Sequence, residues 1–334
     1  MEWKYEDLPS SGRVYGGRAG RKKGVIIDGE NYIIKYPGNM RGLNVKDVEM
    51  SYTNSPACEY IGSHIYGLLN IPVHETHLGI YKDKNVVYCK DFRKDGEELQ
   101  QFSEIKISSF DEDLVDSSGH STTGISEDIQ EALHTIKHSE LLNTIDGVEE
   151  RFWDMFVVDA LIGNPDRNNT NWGVIRRIDG TRILSPVYDN GNCLNNKWDD
   201  EKMLRVLENE NSITSMAYKG RVCCMELNGS RINPYKLIQG HEYEECDKAI
   251  VRICDRLYTD RIMNMIYDIP KEFVSDTFKK YSEQLITMRV NDVLQPAYAQ
   301  VMSRQKSYMQ DAIQTASKRY GHEQDIEQER EYSL

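Results

Sequence analysis

The chain has 334 residues, of which 39% are apolar and 28% charged, the balance of a soluble globular protein long enough for two lobes. No uninterrupted apolar run approaches the roughly 18 residues that a membrane-spanning helix needs. With 41 basic against 54 acidic residues the net charge is −13, which argues against nucleic acid as the main ligand.

The N-terminal stretch MEWKYEDLPSSGRVYGG lacks the apolar core of a signal peptide. The seven cysteines (Cys58, Cys89, Cys193, Cys223, Cys224, Cys246 and Cys254) have no Cys-x-x-Cys spacing. They read as reduced, mostly buried thiols of a cytoplasmic protein, with later delivery into another cell left open.

The segment VYGGRAGRKKG (14–24) carries four glycines and four basic residues directly before a strand. Gly16, Gly17 and Gly20 would let backbone N–H groups turn toward an anion, or would simply form a solvated loop. The spacing is not that of a Walker-type phosphate loop. GVIIDGENYIIKY (24–36) reads as a hairpin turning at Asp28-Gly29. Lys35 lies among its β-branched and aromatic residues, either guarding a strand edge or reaching into a cleft. Residues 54–69 predict a helix with Asn54 or Ser55 as cap and Pro56 in the first turn. Glu59 flanks the apolar stripe of that helix and is a candidate partner for Lys35. A second hairpin joins 73–81 to 86–92 through a KDKN turn.

The Ser- and Asp-rich residues 103–126 predict a long surface loop. Helices are expected at 127–145, 148–162, 243–257, 271–289 and 297–318, with short extended pieces near 172–188 and a frayed polar tail. The Met-containing stripe ITMRVNDVLQPAYAQVMSRQ reads as helical packing. The expected organisation is a small β-rich lobe (1–95) and a larger, mainly helical lobe (96–334), with a ligand at their junction.

The apolar run FWDMFVVDA is followed abruptly by LIGNPDRNNTNWG. Asp166 and Asn171 are spaced like the aspartate and asparagine of a kinase catalytic loop. Asp159 and Asn164 share that spacing, so spacing alone selects neither pair. Asp166 is favoured because it lies beyond the helix, after Gly163-Asn164-Pro165, where side chains can converge. In LSPVYDNGNCL, Asp189 is either a turn residue or a ligand for a hard cation such as magnesium.

Taken in order, NYIIKYP, SPACEYIGSHIYGLLNIPVHET, GNPDRNNTNWG and LSPVYDNGNCL resemble the HipA-like serine/threonine kinase family. The likeness is closest to its short stand-alone members, typified by the cell-translocating kinase, and runs from about residue 15 to 195. It implies an α+β, two-lobed protein-kinase-like fold that binds ATP and magnesium and phosphorylates Ser/Thr hydroxyls of a protein, with the chain itself as one candidate acceptor. By position, Lys35 matches the phosphate-gripping lysine and Glu59 its helix partner. Cys89, Lys90 and Phe92 fall in the adenine-binding segment. Asp166 matches the catalytic aspartate, and Asn171 and Asp189 the metal ligands.

Asn168 stands where the family commonly has histidine. The Ser-x-x-Gly pattern that larger members autophosphorylate is missing, with Tyr15, Ser10 or Ser11 as speculative substitutes. A toxin role with an antitoxin partner follows from the resemblance alone. Two alternatives remain open: a phosphoinositide or small-molecule kinase, and a nucleotide-binding pseudokinase that acts by docking.

Overall fold

The structure is a computed structural model that describes residues 3–15, 21–39, 53–109, 127–220, 222–310 and 313. Gly16, Gly17 and Gly20, proposed from the sequence as phosphate-loop glycines, lie outside the described residues.

Strands β1 (Lys4–Tyr5), β2 (Lys22–Ile27) and β3 (Glu30–Lys35) open the chain, followed by helix α1 (Ser55–Leu68) and strands β4 (Thr76–Tyr81) and β5 (Lys84–Lys90). They form a five-stranded sheet in the order β1-β4-β5-β3-β2. The β2–β3 hairpin turns at Asp28 and Gly29, whose φ values of 51° and 82° explain that dipeptide. Its register sets Lys22 opposite Lys35, and β5 flanks β3 on the other side with Val87 opposite Lys35. Alternation puts Val25, Ile34, Val86 and Tyr88 on one fully buried face, covered by Trp3, Tyr5, Leu8 and Tyr36. The N-terminal residues are thus the lid of a small second core.

Helix α1 packs on β4 and β5 and buries Ala57, Cys58, Ile61 and Ile65, the predicted stripe. Asn54 occupies the cap position, but its side chain makes no capping bond. Instead its Nδ2 donates to the Trp198 carbonyl at 3.0 Å, tying the helix start to the other lobe.

In the larger lobe come β6 (Glu98–Gln101), α2 (Phe102–Ser109), α3 (Ile129–His138), α4 (Val148–Ile162), β7 (Gly173–Arg176) and β8 (Arg182–Leu184). Next are α5 (Asp200–Leu207), α6 (Glu210–Tyr218), β9 (Glu226–Leu227), β10 (Ser230–Arg231), α7 (Pro234–Gly240), α8 (Glu244–Cys254), α9 (Thr259–Tyr267) and α10 (Asp276–Arg289). A π-turn at Val290–Leu294 leads into helix at 295–310.

The expected loop at 103–126 is corrected over its first part. Phe102–Ser109 is helical because Phe102 and Ile105 are buried and Phe102 stacks on Trp172, ring centroids 4.0 Å apart. Residues 110–126 lie outside the described residues. The expected helix at 127–145 is split into α3 and a 3₁₀ turn at Leu142–Thr144. The one expected at 271–289 starts later, where the Ser275 hydroxyl accepts from the Phe278 N–H at 3.1 Å. In the Met-containing stripe Val290, Val293, Leu294, Ala297 and Val301 are buried, so that segment packs on its own lobe.

Candidate active site

Helix α4 ends at Gly163, whose φ of 64° closes the helix in the left-handed region. The chain beyond it folds back through a network centred on Arg167, which is 3% exposed. Its Nε donates to Asp159 Oδ2 at 2.8 Å, and its other nitrogens to the Asn171 and Tyr188 carbonyls and to Asn190 Oδ1. Burial alone would lower the guanidinium pKa, but the Asp159 carboxylate holds it well above the ordinary value. Asn164 Nδ2 donates to Asp159 Oδ1 at 3.0 Å. The two Asp-x-x-x-x-Asn pairs therefore differ in kind. Asp159 and Asn164 are buried scaffold, while Asp166 and Asn171 border open cavities.

Asp166 accepts hydrogen bonds at both carboxylate oxygens, from Asn168 Nδ2 at 3.1 Å and from Asn192 Nδ2 at 2.6 Å. Asn168, the departure from the family pattern, also accepts from the Thr170 N–H and hydroxyl, so it acts as a brace for the loop. The Asn171 amide donates to the Asp166 carbonyl at 2.7 Å, which closes the loop on itself and leaves Asn171 Oδ1 for another partner. Below the loop, the backbone N–H of Asn169 meets both oxygens of Glu127 at 3.2 Å. Burial pushes the Glu127 carboxyl up to about 7, with Asp166 and Glu226 adding to the rise and the Asn169 N–H and Lys106 opposing it.

From the small lobe, Lys35 Nζ lies 3.0 Å from Glu59 Oε2 and 2.8 Å from Asp189 Oδ1. Burial acts to lower the Lys35 pKa, but Asp189 and Glu59 together raise it well above the ordinary lysine range. Burial likewise acts to raise Glu59, and the Lys35 and His74 contacts override it, so its pKa is lowered. His74 Nε2 is 3.0 Å from Glu59 Oε1, and the same oxygen accepts from the backbone N–H of Asn190 at 3.1 Å. Asn190 Nδ2 reaches Ser63 Oγ at 3.0 Å. Glu59 thus joins α1, β3 and the Asp189 segment.

Asp189 has φ of 62°, an uncommon backbone for a non-glycine residue. Just before it, Val187 pairs with Val73 in a bridge between the lobes. With that anchor in place, the turn at Asp189 aims the carboxylate across the cleft at Lys35.

Two cavities meet here. One, of about 460 Å³, is bordered by Lys35, Asp166, Asp189 and Lys197. The other, of about 160 Å³, is bordered by Phe92, Leu99, Asn171, Tyr188 and Asp189. Lys22, Lys35 and Asp189 belong to both. Phe92 packs against Tyr188 with centroids 5.7 Å apart and planes tilted by 34°, and both rings border the smaller cavity as an aromatic wall. Lys90 also borders the smaller cavity and lies 3.6 Å from Glu30. Cys89 is placed differently from Lys90 and Phe92. It is fully buried, with its sulfur grouped with Glu59 and His74 behind the cleft wall.

Sequence reasoning missed the bracket over the smaller cavity. Asp91 accepts from Arg13 at 2.8 Å, from Arg93 at 2.9 and 3.0 Å and from the Tyr15 hydroxyl at 3.0 Å. The Tyr15 hydroxyl is therefore engaged, and burial with the nearby Asp91 charge raises its pKa. The alternation of acid and base in KDFRKD (90–95) was the available signal.

The lobes, the lysine held between a helix glutamate and a cleft aspartate, and the Asp166–Asn171 loop define a kinase-like protein. The serine/threonine-protein kinase CtkA of Helicobacter pylori strain J99 is 29% identical to this chain over 321 residues, 96% of this chain and 93% of that protein. The crystal structure of the H. pylori proinflammatory kinase CtkA superposes with a TM-score of 0.80 at 27% identity, covering 91% of this chain and 98% of that one. The resemblance expected from the motifs is borne out by these matches, and the kinase-like fold with them. A HipA chain from Shewanella oneidensis MR-1, solved with HipB and operator DNA, gives a TM-score of 0.38 at 12% identity, too slight a likeness to build on. No family model matches the chain.

Proposed function

We propose that this chain is an ATP- and magnesium-dependent kinase that transfers the γ-phosphate to a Ser/Thr hydroxyl of a protein. The observation that carries this reading is the convergence of Lys35, Glu59, Asp166, Asn171 and Asp189 from both lobes on two joined cavities. The name and fold of the CtkA relative support it.

Asn171 and Asp189 carry oxygen donors and border the same cavity, and Asn171 has its nitrogen engaged elsewhere, so the pair would suit a hard divalent cation. A magnesium ion held by Asn171 and Asp189 would supply positive charge to offset that of the phosphates. The Lys35 ammonium, kept charged by two carboxylates, neutralises the phosphate chain of the nucleotide. Phe92 and Tyr188 hold the base. Asp166, fixed by two amide donors, orients the acceptor Oγ and takes its proton as the new P–O bond forms and ADP leaves. Catalysis then rests on positioning and charge neutralisation.

A pseudokinase that only docks is the second reading, favoured by the bonds that already occupy both Asp166 oxygens. Incubation with γ-labelled ATP and Mg²⁺, followed by mass spectrometry, separates the readings. The kinase reading expects phosphoserine or phosphothreonine that disappears with EDTA. Nucleotide binding without transfer gives the pseudokinase. Label on phosphoinositide vesicles instead of protein gives the lipid kinase.

A further inference from the structure

We propose that a basic, tyrosine-walled hollow beside the cleft binds an acidic, Asp/Glu-rich segment of the protein substrate; the inference rests on the kinase reading. The hollow has a volume of about 340 Å³, and its walls are Arg21, Lys23, Tyr36, Tyr81, Lys82 and Lys84. Among the described residues, four cations and no carboxylate line it, in a chain whose acidic residues exceed its basic ones by thirteen. Such a concentration of one sign against the background charge is a field that selects an oppositely charged partner.

The tyrosines organise the cations. Lys23 Nζ donates to the Tyr81 hydroxyl at 2.7 Å and lies 5.0 Å from the ring centroid. Lys82 approaches the same ring at 5.6 Å, and Arg21 lies 5.5 Å from the centre of the Tyr36 ring. Asp7 acts on Lys23 from the N-terminal segment but does not border the hollow. The backbone adds an independent sign. Lys82 and Asp83 form the tip of the β4–β5 hairpin with φ of 49° and 58°, a turn that asparagine and glycine suit far better than lysine. The turn thus places the Lys82 ammonium at the rim of the hollow on a backbone that lysine seldom adopts.

Arg21 also borders the larger cleft cavity, together with Lys22, Lys35, Asp166 and Lys197. Glu59, Asp166 and Asp189 border that cavity as well, so the all-basic lining ends at Arg21, where the hollow adjoins the cleft. An acidic segment held in the hollow would bring a neighbouring Ser or Thr past Arg21 toward the cavity that Asp166 borders.

The test uses the full chain and a fluorescein-labelled peptide with one serine flanked by Asp and Glu, against a Lys-flanked peptide of equal length. Lys82→Asn suits the left-handed turn and removes the charge, and Lys23→Gln keeps a donor for Tyr81. The pair should weaken acidic-peptide binding by about fivefold to tenfold, an effect that shrinks in high salt. The KM for that peptide should rise in parallel, with the KM for ATP unmoved. Equal binding of the two peptides, or unchanged binding in the double variant, overturns the proposal. So does a lysine-dependent preference for an oligothymidylate or for phosphatidylserine vesicles over the acidic peptide. Binding is read without nucleotide, so it decides the occupant of the hollow even if the wild-type chain transfers no phosphate.

Discussion

Glu127 shows how one part-buried carboxyl beneath the Asp166–Asn171 loop can couple stability to pH. Unfolded, it titrates near its ordinary value of 4.5, whereas folded it is pushed up to about 7. Between those values the folded chain retains a proton that the unfolded chain has released. Its contribution to stability is therefore full below 4.5 and is lost as pH rises through 7, on the order of 3 kcal/mol in total. Glu127→Gln fixes the neutral form. Urea denaturation from about pH 5 to about pH 8 should show a shallower decline of stability in this variant than in the wild type. Parallel curves would remove Glu127 as the source. At the same scale, Lys35, Glu59, Asp166 and Asp189 were readable as candidates, because they sit in motifs that follow one another in order along the chain. Arg167 was not readable as a hub, because its partners Tyr188 and Asn190 are 21 and 23 residues away and only folding brings them to it.

Among the elements, α1 carries Glu59 and must sit close to the Asp189 segment. Gly62 allows this, since a Cβ there would meet Asn190 Cβ at 2.8 Å. Asn190 is fully buried and cannot give way cheaply. Gly62→Ala should therefore cost about 1–3 kcal/mol in chemical denaturation and raise the dissociation constant for ATP, because the Lys35–Glu59 pair depends on that seating. Wild-type stability with wild-type ATP affinity would show that α1 does not set the geometry. The β2–β3 hairpin and α4 were legible from Asp28-Gly29 and from a long apolar run ended by glycine. Helices α5, α6, α7 and α9 were not, being only 8, 9, 7 and 9 residues long. Such short helices are held by caps such as Asp199, Asn209 and Asn233 and by packing, more than by a periodic pattern.

On the scale of the whole molecule, the two lobes are tied by the Val73–Val187 bridge and by Asn54 reaching Trp198, so the cleft between them has a defined floor. Among the described residues no helix is long and apolar enough to cross a membrane. The succession from a β-rich part with one helix to a mainly helical part could be read in advance, since local patterns and family motifs agree there. The bracket of Arg13, Tyr15 and Arg93 on Asp91 could not, because it joins residues 76 to 78 positions apart as well as close neighbours. The central claim is that Asp166 serves the transfer step and not nucleotide binding. Steady-state kinetics of Asp166→Asn with Mg²⁺–ATP, alongside equilibrium ATP binding, test it most directly. In Asp166→Asn, kcat should fall by about 10²–10⁴ while ATP affinity stays close to wild type; wild-type turnover would remove Asp166 from the transfer step.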